Sequence, residues 1–458
     1  MHLTLDEAAR GALWERVVAE LEAYWRALPG LPVAPRATRD EMRAALAGYD
    51  FAAPRDPADV VSATAALLRA HLLHTAHPAY FGVFNPAPST MGVAADALVA
   101  GFNPQLASSA SAGIAIEMEN HLIRWFGAHF GWPDAHGSFA SGGTAANHTA
   151  LLCALAVQVP GFARDGLGGA RPVIYASDEA HQSFERAARL CGLGTAAVAR
   201  IAGTPEVTAR IAADRAAGKT PLMLVATLGT TSAGAFEDIA GLSEVAARED
   251  LWLHADAAWG GAAILLPEHR ALFAGVERAD SLTLDAHKWL SVPMGAGMFF
   301  TRHPRVQEDT FRVDQTPYMP GHTYDSRDTE PYKQSLEWSR RFTGLKLWMT
   351  LAVHGIEGYR AVLRHQIAMG AALRERLTRS GWRVMNDTPL PVVCFVDPAR
   401  PAMDVEDFAR KVGRTGRTWI TPTRLADTPV LRAGIASYHT GEGDLDALVA
   451  VLDAVRAD

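Results

Sequence analysis

The sequence predicts an α/β fold, with a mostly parallel sheet covered by helices in a large domain, a small C-terminal α+β domain and an N-terminal helical arm. Three observations support this prediction. Near-continuous apolar runs alternate with helical patterns between about residues 137 and 301, which is typical of parallel strands buried on both faces. Short strand patterns mixed with helices follow residue 382. Helical periodicity alone precedes residue 77.

The domain boundaries follow from these changes of pattern, and a chain of 458 residues is long enough for one large domain and a smaller one. We place the helical arm at 1–76, the large domain at 77–350 and the small domain at 351–458. The helices of the arm expose more large apolar groups than they could hide from one another. Either the arm packs on another subunit, or it docks on its own chain. The helices predicted in the arm span 3–28, 38–47 and 57–74.

Composition and charge exclude several classes of function. The net charge is −7 and no basic run is present, which argues against nucleic acid as the main partner. The three cysteines are widely spaced, so we expect neither a disulfide framework nor a zinc site, and no metal. Charged residues at the start of the chain do not fit a signal peptide, and no apolar run reaches the roughly 18 to 20 residues of a membrane span. We therefore expect a cytoplasmic protein without membrane contact.

Polar side chains recur just after the predicted strands of the large domain. In open parallel sheets, ligands bind at the carboxyl ends of the strands. Side chains placed there by separate strands therefore converge on one site. The predicted strands span 172–176, 221–227, 251–256, 281–284 and 298–301. The polar residues that follow strands are Ser141 to Thr144, His181, Thr230, Thr231, Asp256, His287 and Lys288.

A glycine-rich turn, Ser141-Gly-Gly-Thr144, lies between a short strand and the start of a helix. Its glycines permit close backbone approach, Thr144 offers a hydroxyl, and the helix N-terminus directs N–H groups at an anion. The pattern is neither a Walker A motif nor a GxGxxG motif. It predicts a phosphate site, and a simple strand-to-helix turn is the alternative.

Lys288 is one of only five lysines and sits between a histidine and a tryptophan, with apolar sequence on both sides. Apolar surroundings lower the pKa of a lysine and make its amine a nucleophile for a Schiff base. A surface lysine beside a packed histidine is the alternative. Asp256 closes an apolar strand, where a buried carboxylate must be paired. It is either a counter-ion for a cationic ring nitrogen or a structural cap.

Two loops of the predicted large domain carry aromatic side chains. The segment 77–86 is punctuated by proline and glycine and forms either a pocket wall or a core-packing connection. The segment 311–335 is polar and rich in proline and glycine, and loops of this length are usually lids or disordered. A helix over 343–380 then leads to strands at 382–385, 392–396, 418–420 and 431–436 and helices at 404–412 and 442–457.

Taken together, these motifs resemble those of the group II pyridoxal-phosphate-dependent amino acid decarboxylases, in the aromatic-L-amino-acid decarboxylase-like branch. The resemblance covers nearly the whole chain. It implies pyridoxal 5'-phosphate as cofactor, the type I fold of such enzymes with a seven-stranded sheet, and a homodimer with the active site at its interface. The matching motifs, in family order, are His77-Pro, Ser141-Gly-Gly-Thr144, Ser177-Asp-Glu-Ala-His181, Ala226-Thr-Leu-Gly-Thr-Thr231, His254-Ala-Asp-Ala-Ala258 and His287-Lys-Trp289.

The resemblance also implies a role for each site residue. Lys288 would carry the cofactor, and Asp256 would pair with its protonated ring nitrogen and keep the ring an electron sink. His181 would stack on the ring and Ala258 would pack on its other face. The remaining cofactor-binding residues would be Gly143 and Thr144 at the phosphate, aided by His287, and Thr231 near the phenolic oxygen or the substrate carboxylate. Asp285 is left out of the phosphate site, because a carboxylate would repel a phosphate.

The implied activity is decarboxylation of an L-amino acid to an amine and CO2. The predicted substrate pocket favours an aromatic or apolar side chain, with acidic and diamino acids as alternatives. An aldehyde synthase is a further alternative. However, family members with that activity typically replace the stacking histidine or the loop tyrosine, and both are present here. A phosphate-substrate carbon–carbon lyase and a non-catalytic paralogue fit less well. The predicted substrate-pocket residues are Tyr80, Phe81, Phe84, Asn85 and Phe102.

The lid prediction includes the proton donor. After CO2 leaves, the substrate Cα must be protonated by an acid within about 3 Å. Tyrosines occupy the predicted lid at positions 318, 324 and 332. Tyr332 best matches the loop tyrosine of the family when counted back from Arg340, but with a one-residue shift. Tyr324 therefore stays the alternative.

Overall fold

A sheet of seven strands forms the centre of the molecule in the computed structural model, which describes residues 3–84, 86–313 and 330–458. In chain order the strands are β2 (His136–Ala140), β3 (Pro172–Ser177), β4 (Val198–Ile201), β5 (Thr220–Thr227), β6 (Trp252–Asp256), β7 (Ser281–Asp285) and β8 (Gly297–Thr301). Their spatial order is β2-β8-β7-β6-β5-β3-β4. The pairs among β4, β3, β5, β6 and β7 are parallel, and β8 pairs antiparallel with both β7 and β2. The predicted mostly parallel α/β sheet is confirmed.

Helices cover both faces of this sheet because its strands are apolar on both faces. Leu151 and Phe184, from helices on one face, pack with Ile174 and Val225 of the sheet. The other face packs against a second cluster that includes Phe126. The helices of this part are α4 (Thr90–Phe102), α5 (Ser109–His129), α6 (Gly143–Gln158), α7 (Phe162–Asp165), α8 (Ser183–Leu190), α9 (Thr204–Ala216), α10 (Ile239–Glu249) and α11 (Val306–Phe311). A two-stranded ribbon pairs β1 (Gln105–Leu106) with β9 (Arg340–Arg341).

The C-terminal part has a four-stranded antiparallel sheet in the order β10-β11-β13-β12, with its own apolar core. Its helices are α12 (Gly344–Arg379), α13 (Val405–Arg414) and α14 (Glu442–Ala457). Its strands are β10 (Arg383–Val384), β11 (Val392–Val396), β12 (Thr421–Leu425) and β13 (Thr428–Gly434). Helix α12 runs across the boundary predicted at 350 and 351, and a break at Gly355 with φ of 61° interrupts it.

The strand predicted at 418–420 is wrong in position. Regular pairing begins at Thr421, whereas Trp419 makes only a single bridge, to Tyr80. The N–H of Phe81 donates to the carbonyl of Trp419 at 2.8 Å, and the N–H of Gly434 donates to the carbonyl of Phe81 at 3.0 Å. The segment around Phe81 therefore lies against the C-terminal sheet. It forms hydrogen bonds with backbone groups that a regular strand would otherwise have paired.

The N-terminal arm consists of α1 (Glu7–Ala27), α2 (Arg39–Leu46) and α3 (Pro57–His71). Within the described range 7–71, these three helices contain no buried residue. The connection after α1 is anchored, since the fully buried Val33 donates its N–H to the carbonyl of Gly416 and packs in the C-terminal core. No helix of the described residues is long and apolar enough to cross a membrane.

The loop predicted over 311–335 is only partly within the described residues, because 314–329 lie outside them. The lid itself stays a prediction, and the last part of the segment is anchored to the rest of the chain. Residues 331–333 form a 3-10 turn, and Glu330 and Tyr332 are buried. The carboxylate of Glu330 accepts hydrogen bonds from the N–H and hydroxyl of Ser109 at 2.6 and 2.8 Å, where helix α5 begins. This carboxylate at a helix N-terminus holds the segment in place.

Candidate active site

A cavity of about 350 Å³ lies at the carboxyl ends of β5, β6 and β7, the edge where strand-end residues were expected to converge. It brings together all eight residues that were predicted to bind the cofactor. Those residues are Gly143, Thr144, His181, Thr231, Asp256, Ala258, His287 and Lys288. The rest of its lining consists of Ser141, Gly142, Ala145, Asn147, Thr227, Gly229, Trp259, Asp285 and Met294.

The glycine-rich turn forms one end of the cavity, where α6 begins at Gly143 after an extended Gly142. Close packing leaves little room for side chains here. A Cβ on Gly143 would lie 2.8 Å from an oxygen of Asp285, and one on Gly142 would lie 3.3 Å from the ring of His287. The first N–H groups of a 16-residue helix thus face a concave surface with no side chain in the way. This arrangement suits a phosphate.

Lys288 follows β7 in a tight turn, in which its N–H donates to the carbonyl of Asp285 at 3.1 Å. Its ammonium lies 3.0 Å from a carboxylate oxygen of Asp285, and its side chain is 23% exposed. The predicted apolar surroundings of Lys288 are therefore wrong. The chain turns back on itself after β7, so that a carboxylate three residues earlier meets the amine. The role of Asp285 beside the phosphate turn is thus to pair with this lysine.

His287 is buried at the same turn. Its Nδ1 accepts a hydrogen bond from the N–H of Ala296 at 3.1 Å, and its Nε2 lies 3.8 Å from Asp285. Burial lowers the pKa of His287, although the neighbouring Asp285 opposes that effect. The ring is therefore neutral near pH 7, with its remaining N–H on Nε2. That N–H is available to an anionic group.

Asp256 ends β6 and is 4% exposed. Its Oδ2 accepts a hydrogen bond from the side-chain amide of Asn147 at 2.9 Å, and its Oδ1 accepts one from the N–H of Ala258 at 3.2 Å. Each carboxylate oxygen accepts from an N–H group, and each keeps a further lone pair. Asp256 thus presents an acceptor to a cationic group inside the cavity.

His181 and Thr231 line the cavity and, like Thr144, are exposed. The N–H of Ser183 donates to Nδ1 of His181 at 3.2 Å, which orients the imidazole and leaves Nε2 as its other polar atom. Ala258 is 9% exposed, and its methyl group lies close to Gly143. The three side chains therefore lie on the walls of one cavity.

Two buried polar atoms of the cavity lack partners among the described residues. Thr227 is 4% exposed and Asp285 is 2% exposed, and neither Thr227 Oγ1 nor Asp285 Oδ1 has a hydrogen-bond partner. Buried polar atoms normally have partners. The residues present fit pyridoxal phosphate: an amine on Lys288, an anion site at the glycine turn, an acceptor on Asp256 and an unpaired hydroxyl on Thr227.

The residues predicted for the substrate pocket do not lie together. Tyr80 and Phe81 are 1% and 0% exposed and belong to the C-terminal core, so they do not line the cavity. Phe102 ends α4 and is 84% exposed, also away from the cavity. Phe84 stacks on Trp259, a cavity residue, with ring centroids 4.0 Å apart. Asn85 lies outside the described residues.

Tyr332 is 6% exposed and does not line the cavity of its own chain. Its N–H donates to the carbonyl of Ala107 at 3.2 Å, and its ring lies 4.7 Å from that of Trp338. The alternative donor, Tyr324, lies outside the described residues.

Sequence reasoning missed three residues of the site. Asn147 holds Asp256, Thr227 carries the unpaired hydroxyl, and Trp259 supplies the aromatic wall. A signal existed for two of them. Asn147 is one helical turn after Thr144 in the phosphate turn, and Thr227 ends an apolar strand as Asp256 does.

Comparisons with known proteins agree with this geometry. Residues 43–397 match the family model described as the pyridoxal-dependent decarboxylase conserved domain. The chain is 31% identical to an aromatic-L-amino-acid decarboxylase of Bacillus atrophaeus, over 79% of this chain and 77% of that protein. It is 32% identical to a tyrosine decarboxylase of Oryza sativa subsp. japonica, over 86% and 77%. The crystal structure of Oryza sativa TDC with PLP and tryptamine has a TM-score of 0.93 at 23% identity, over 100% of this chain and 99% of that one.

Proposed function

The chain belongs to the pyridoxal-dependent decarboxylase family, and on that premise we propose that it removes CO2 from an aromatic L-amino acid and releases the corresponding amine. Its cofactor is pyridoxal 5'-phosphate, its fold is type I, and its class of reaction is the decarboxylation of an amino acid. What we propose beyond this is the type of substrate side chain, the amine as product and the role of each residue. The observation that carries it is a single cavity that joins Lys288 and Asp256 to an anion-binding helix start.

When bound, pyridoxal phosphate supplies the electron sink that makes loss of CO2 feasible. In our proposal, Lys288 attaches the cofactor, and Asp285 holds its amine in place from 3.0 Å. Asp256 pairs with the ring nitrogen. His181 would stack on the ring, and Ala258 would pack against its other face. Gly143, Thr144 and the N–H of His287 hold the phosphate, and Thr231 binds the phenolic oxygen or the substrate carboxylate.

The chemistry of the cavity wall supports an uncharged aromatic side chain. Among the described residues, no arginine lines the cavity, so an acidic side chain would lack its best partner. In our proposal both of its carboxylates already have a cationic partner, since Asp285 pairs with Lys288 and Asp256 would pair with the ring nitrogen. A diamino acid would therefore find no carboxylate reserved for its second amine. Trp259, stacked on Phe84, offers an aromatic surface. The named activities of the two relatives point the same way.

The test is a product screen with the purified protein loaded with pyridoxal phosphate. We expect tyrosine, DOPA, phenylalanine or tryptophan to yield its amine and CO2 at least about tenfold faster, in kcat/KM, than glutamate, aspartate or 2,4-diaminobutyrate. Preference for an acidic or diamino acid would refute the aromatic assignment but leave the class of reaction intact. Peroxide and ammonia formed in proportion to CO2 would identify the aldehyde synthase instead.

The donor of the proton to Cα is, in our proposal, a tyrosine of the segment that ends at Tyr332. Because Tyr332 does not line the cavity of its own chain, we assign its hydroxyl to the cavity of a second copy. Its burial and its anchoring beside Ala107 favour a fixed position over a freely swinging one.

We expect Tyr332→Phe to form amine at least about a hundredfold more slowly, because general acid catalysis commonly contributes that much. Aldehyde, ammonia and peroxide should rise as the unprotonated Cα is diverted to oxygen. Amine and peroxide are measured together under air. Amine formation at the parent rate would remove Tyr332 from the mechanism and transfer the role to Tyr324.

A mixture of two inactive variants tests whether the tyrosine acts across subunits. In a heterodimer of Lys288→Ala and Tyr332→Phe chains, one cavity has both its own Lys288 and the partner chain's intact tyrosine. Activity should reappear on mixing if the tyrosine serves the other chain. If verified heterodimers stay inactive, Tyr332 of one chain does not act in the cavity of the other.

We further propose that the protein is a homodimer with the active site near the interface. Helices α1 to α3 leave Trp14 and Val18 52% and 55% exposed, and helix propensity alone stabilises such helices poorly in water. An apolar groove of about 830 Å³ lies beside the arm, lined by residues that include Trp25 and Leu28. Near the cavity, Met294 lines its wall and is 60% exposed. A second copy would cover these surfaces.

Deleting residues 1–30 should raise the dimer dissociation constant at least about tenfold, or about 1.4 kcal/mol, and lower specific activity in parallel. The deletion removes α1 and with it the wall that Trp25 and Leu28 give to the groove. Sedimentation velocity across a dilution series measures the constant. A substitution on α2, Met42→Ala, serves as a control for general effects on the arm. A fully active monomer at assay concentration would contradict the proposal.

A further inference from the structure

A chain of buried hydrogen bonds runs from the cavity into the sheet. We call it the Asp256 chain: Asp256, Asn147, His254, Ser281 and Trp252. Asn147 donates to Asp256 at 2.9 Å, and its oxygen lies 3.1 Å from Nε2 of His254. Nδ1 of His254 lies 2.8 Å from the hydroxyl of Ser281, which also accepts the indole N–H of Trp252 at 2.8 Å. His254 and Ser281 are 0% exposed and Asn147 is 1% exposed, so the chain is shielded from water.

The carboxylate end of the Asp256 chain sets its direction, because the Ser281 hydroxyl, which accepts from Trp252, can either donate to His254 or accept from it. An indole N–H can only donate, and an ionised carboxylate can only accept. The amide of Asn147 must therefore turn its NH2 toward Asp256 and its oxygen toward His254. That oxygen requires an N–H on Nε2 of His254. Burial lowers the pKa of His254 to about 4, so the ring is neutral and carries one proton. Nδ1 then accepts from the hydroxyl of Ser281.

The opposite direction requires a protonated Asp256. The carboxylic acid would donate to the oxygen of Asn147, whose NH2 would turn to His254. The ring proton would then sit on Nδ1 and point at Ser281. The charge of Asp256 and the tautomer of His254 are therefore coupled through the amide of Asn147, and the hydroxyl of Thr283, 3.4 Å from Nε2, is the other polar neighbour of that nitrogen.

Asn147 also reaches the other side of the cavity. Its second amide hydrogen donates to the hydroxyl of Ser183 at 2.9 Å, and the backbone N–H of Ser183 donates to His181 at 3.2 Å. One buried amide thus contacts both the carboxylate and the residue that orients the imidazole.

From this geometry we propose that Asn147 and His254 are positioning residues that keep Asp256 ionised and aimed into the cavity. The proposal rests on the cofactor assignment, because the ring nitrogen of pyridoxal phosphate is the cation that Asp256 would face. Two N–H donors on a buried carboxylate offset part of its desolvation cost, and Asn147 can supply one only while His254 holds its oxygen. Without His254 the buried oxygen of Asn147 loses its donor, so the orientation that turns the NH2 group toward Asp256 is stabilised less.

The first test needs no variant of the chain. Nitrogen-15 NMR of histidine-labelled full-length protein, with and without pyridoxal phosphate, reports the tautomer of His254 directly. We expect a neutral ring protonated at Nε2 in both samples from pH 6 to 9, with the resonance assigned by its loss in His254→Gln. A ring protonated at Nδ1, or at both nitrogens, would overturn the proposal.

The second test compares two replacements by the cofactor dissociation constant, measured by titrating the cofactor-free protein with pyridoxal phosphate. His254→Gln keeps an N–H donor within reach of Asn147, and His254→Leu has none. We expect the constant to rise about 10- to 100-fold for His254→Leu, the usual cost of losing such an outer partner, and less than about threefold for His254→Gln. An equal rise of the dissociation constant in both variants would show that His254 acts only by packing and would overturn the proposal.

His148→Leu is the matched control, since His148 lies on the same helix as Asn147 but contacts Cys191, at 3.3 Å. Its cofactor dissociation constant should be unchanged. If His254→Leu fails to fold, the NMR result on the unaltered protein still decides. Neither measurement uses substrate, so an error in the proposed substrate leaves both outcomes interpretable. An unaltered protein that binds no pyridoxal phosphate would refute the proposed function instead.

Discussion

Replacing Lys288 by alanine or arginine should lower decarboxylation at least about a thousandfold, because neither residue offers an amine that can attach the cofactor. The two variants should differ in stability. Asp285 is buried and pairs with Lys288 at 3.0 Å, so Lys288→Ala leaves a carboxylate without its cation. We expect Lys288→Ala to lose about 1–3 kcal/mol of unfolding free energy and Lys288→Arg to lose less. Turnover and urea denaturation measure the two effects.

Covalent labelling checks the same assignment independently. The loaded protein should be yellow, and borohydride should abolish its visible band and attach the cofactor to one lysine. Peptide mapping should place it on Lys288. Lys411 is the control, since its side chain is 56% exposed and pairs with Asp407 on the surface of α13. A label on any other lysine, or turnover retained by Lys288→Ala, would overturn the assignment.

Asp256→Asn should lower turnover about 100- to 1000-fold while leaving the fold intact. The substitution keeps the shape of the side chain and one acceptor oxygen for the donors of Asn147 and Ala258, but it turns the other oxygen into an NH2 group and removes the charge that faces the ring nitrogen. The loss should persist at saturating pyridoxal phosphate, which separates a defect in turnover from one in binding. Absorbance at each cofactor concentration gives the loaded fraction, and product release gives the rate.

Asp238→Asn is the matched control for this charge removal. Asp238 caps α10 by accepting the N–H of Gly241 at 3.0 Å, and asparagine caps helices equally well. Its activity and stability should match those of the parent protein. An Asp256→Asn protein that turns over at the parent rate would show that the carboxylate is structural.

Much of the cofactor site could be predicted because each strand ends in a local pattern. An apolar run followed by Asp256, and another followed by His287 and Lys288, indicate strand ends from residues adjacent in the chain. Parallel strands then bring their carboxyl ends to one edge. The cavity contains all of the predicted cofactor residues for that reason.

The substrate pocket was predicted less well because an aromatic loop looks the same in a core and in a cavity wall. Tyr80 and Phe81 bury their rings in the C-terminal core, whereas Phe84, a few residues later, stacks on a cavity residue. Burial in either environment requires the same apolar side chain. Only the packing of the segment against Trp419 and Gly434 separates the two cases.

The anchored position of Tyr332 could not be predicted for a related reason. The composition of the segment indicates a long irregular loop, but it cannot predict a hydrogen bond to the start of a helix far away in the chain. Glu330 pairs with Ser109, more than 200 residues earlier, and this contact fixes the last part of the segment.

The sequence by itself determined the α/β architecture, the glycine turn before α6, the strand-end positions of Asp256 and Lys288 and the resemblance to the family. These features depend on residues close together in the chain, where periodicity and turn chemistry act. The tertiary structure alone decided that Asp285 pairs with Lys288, that Asn147 joins Asp256 to His254, and that Tyr332 lies away from its own cavity. Such contacts depend on how the chain folds back and on sheet register, which aligns Thr227 with Asp256 and Asp256 with Thr283. A shift of one residue would turn each of these side chains to the opposite face.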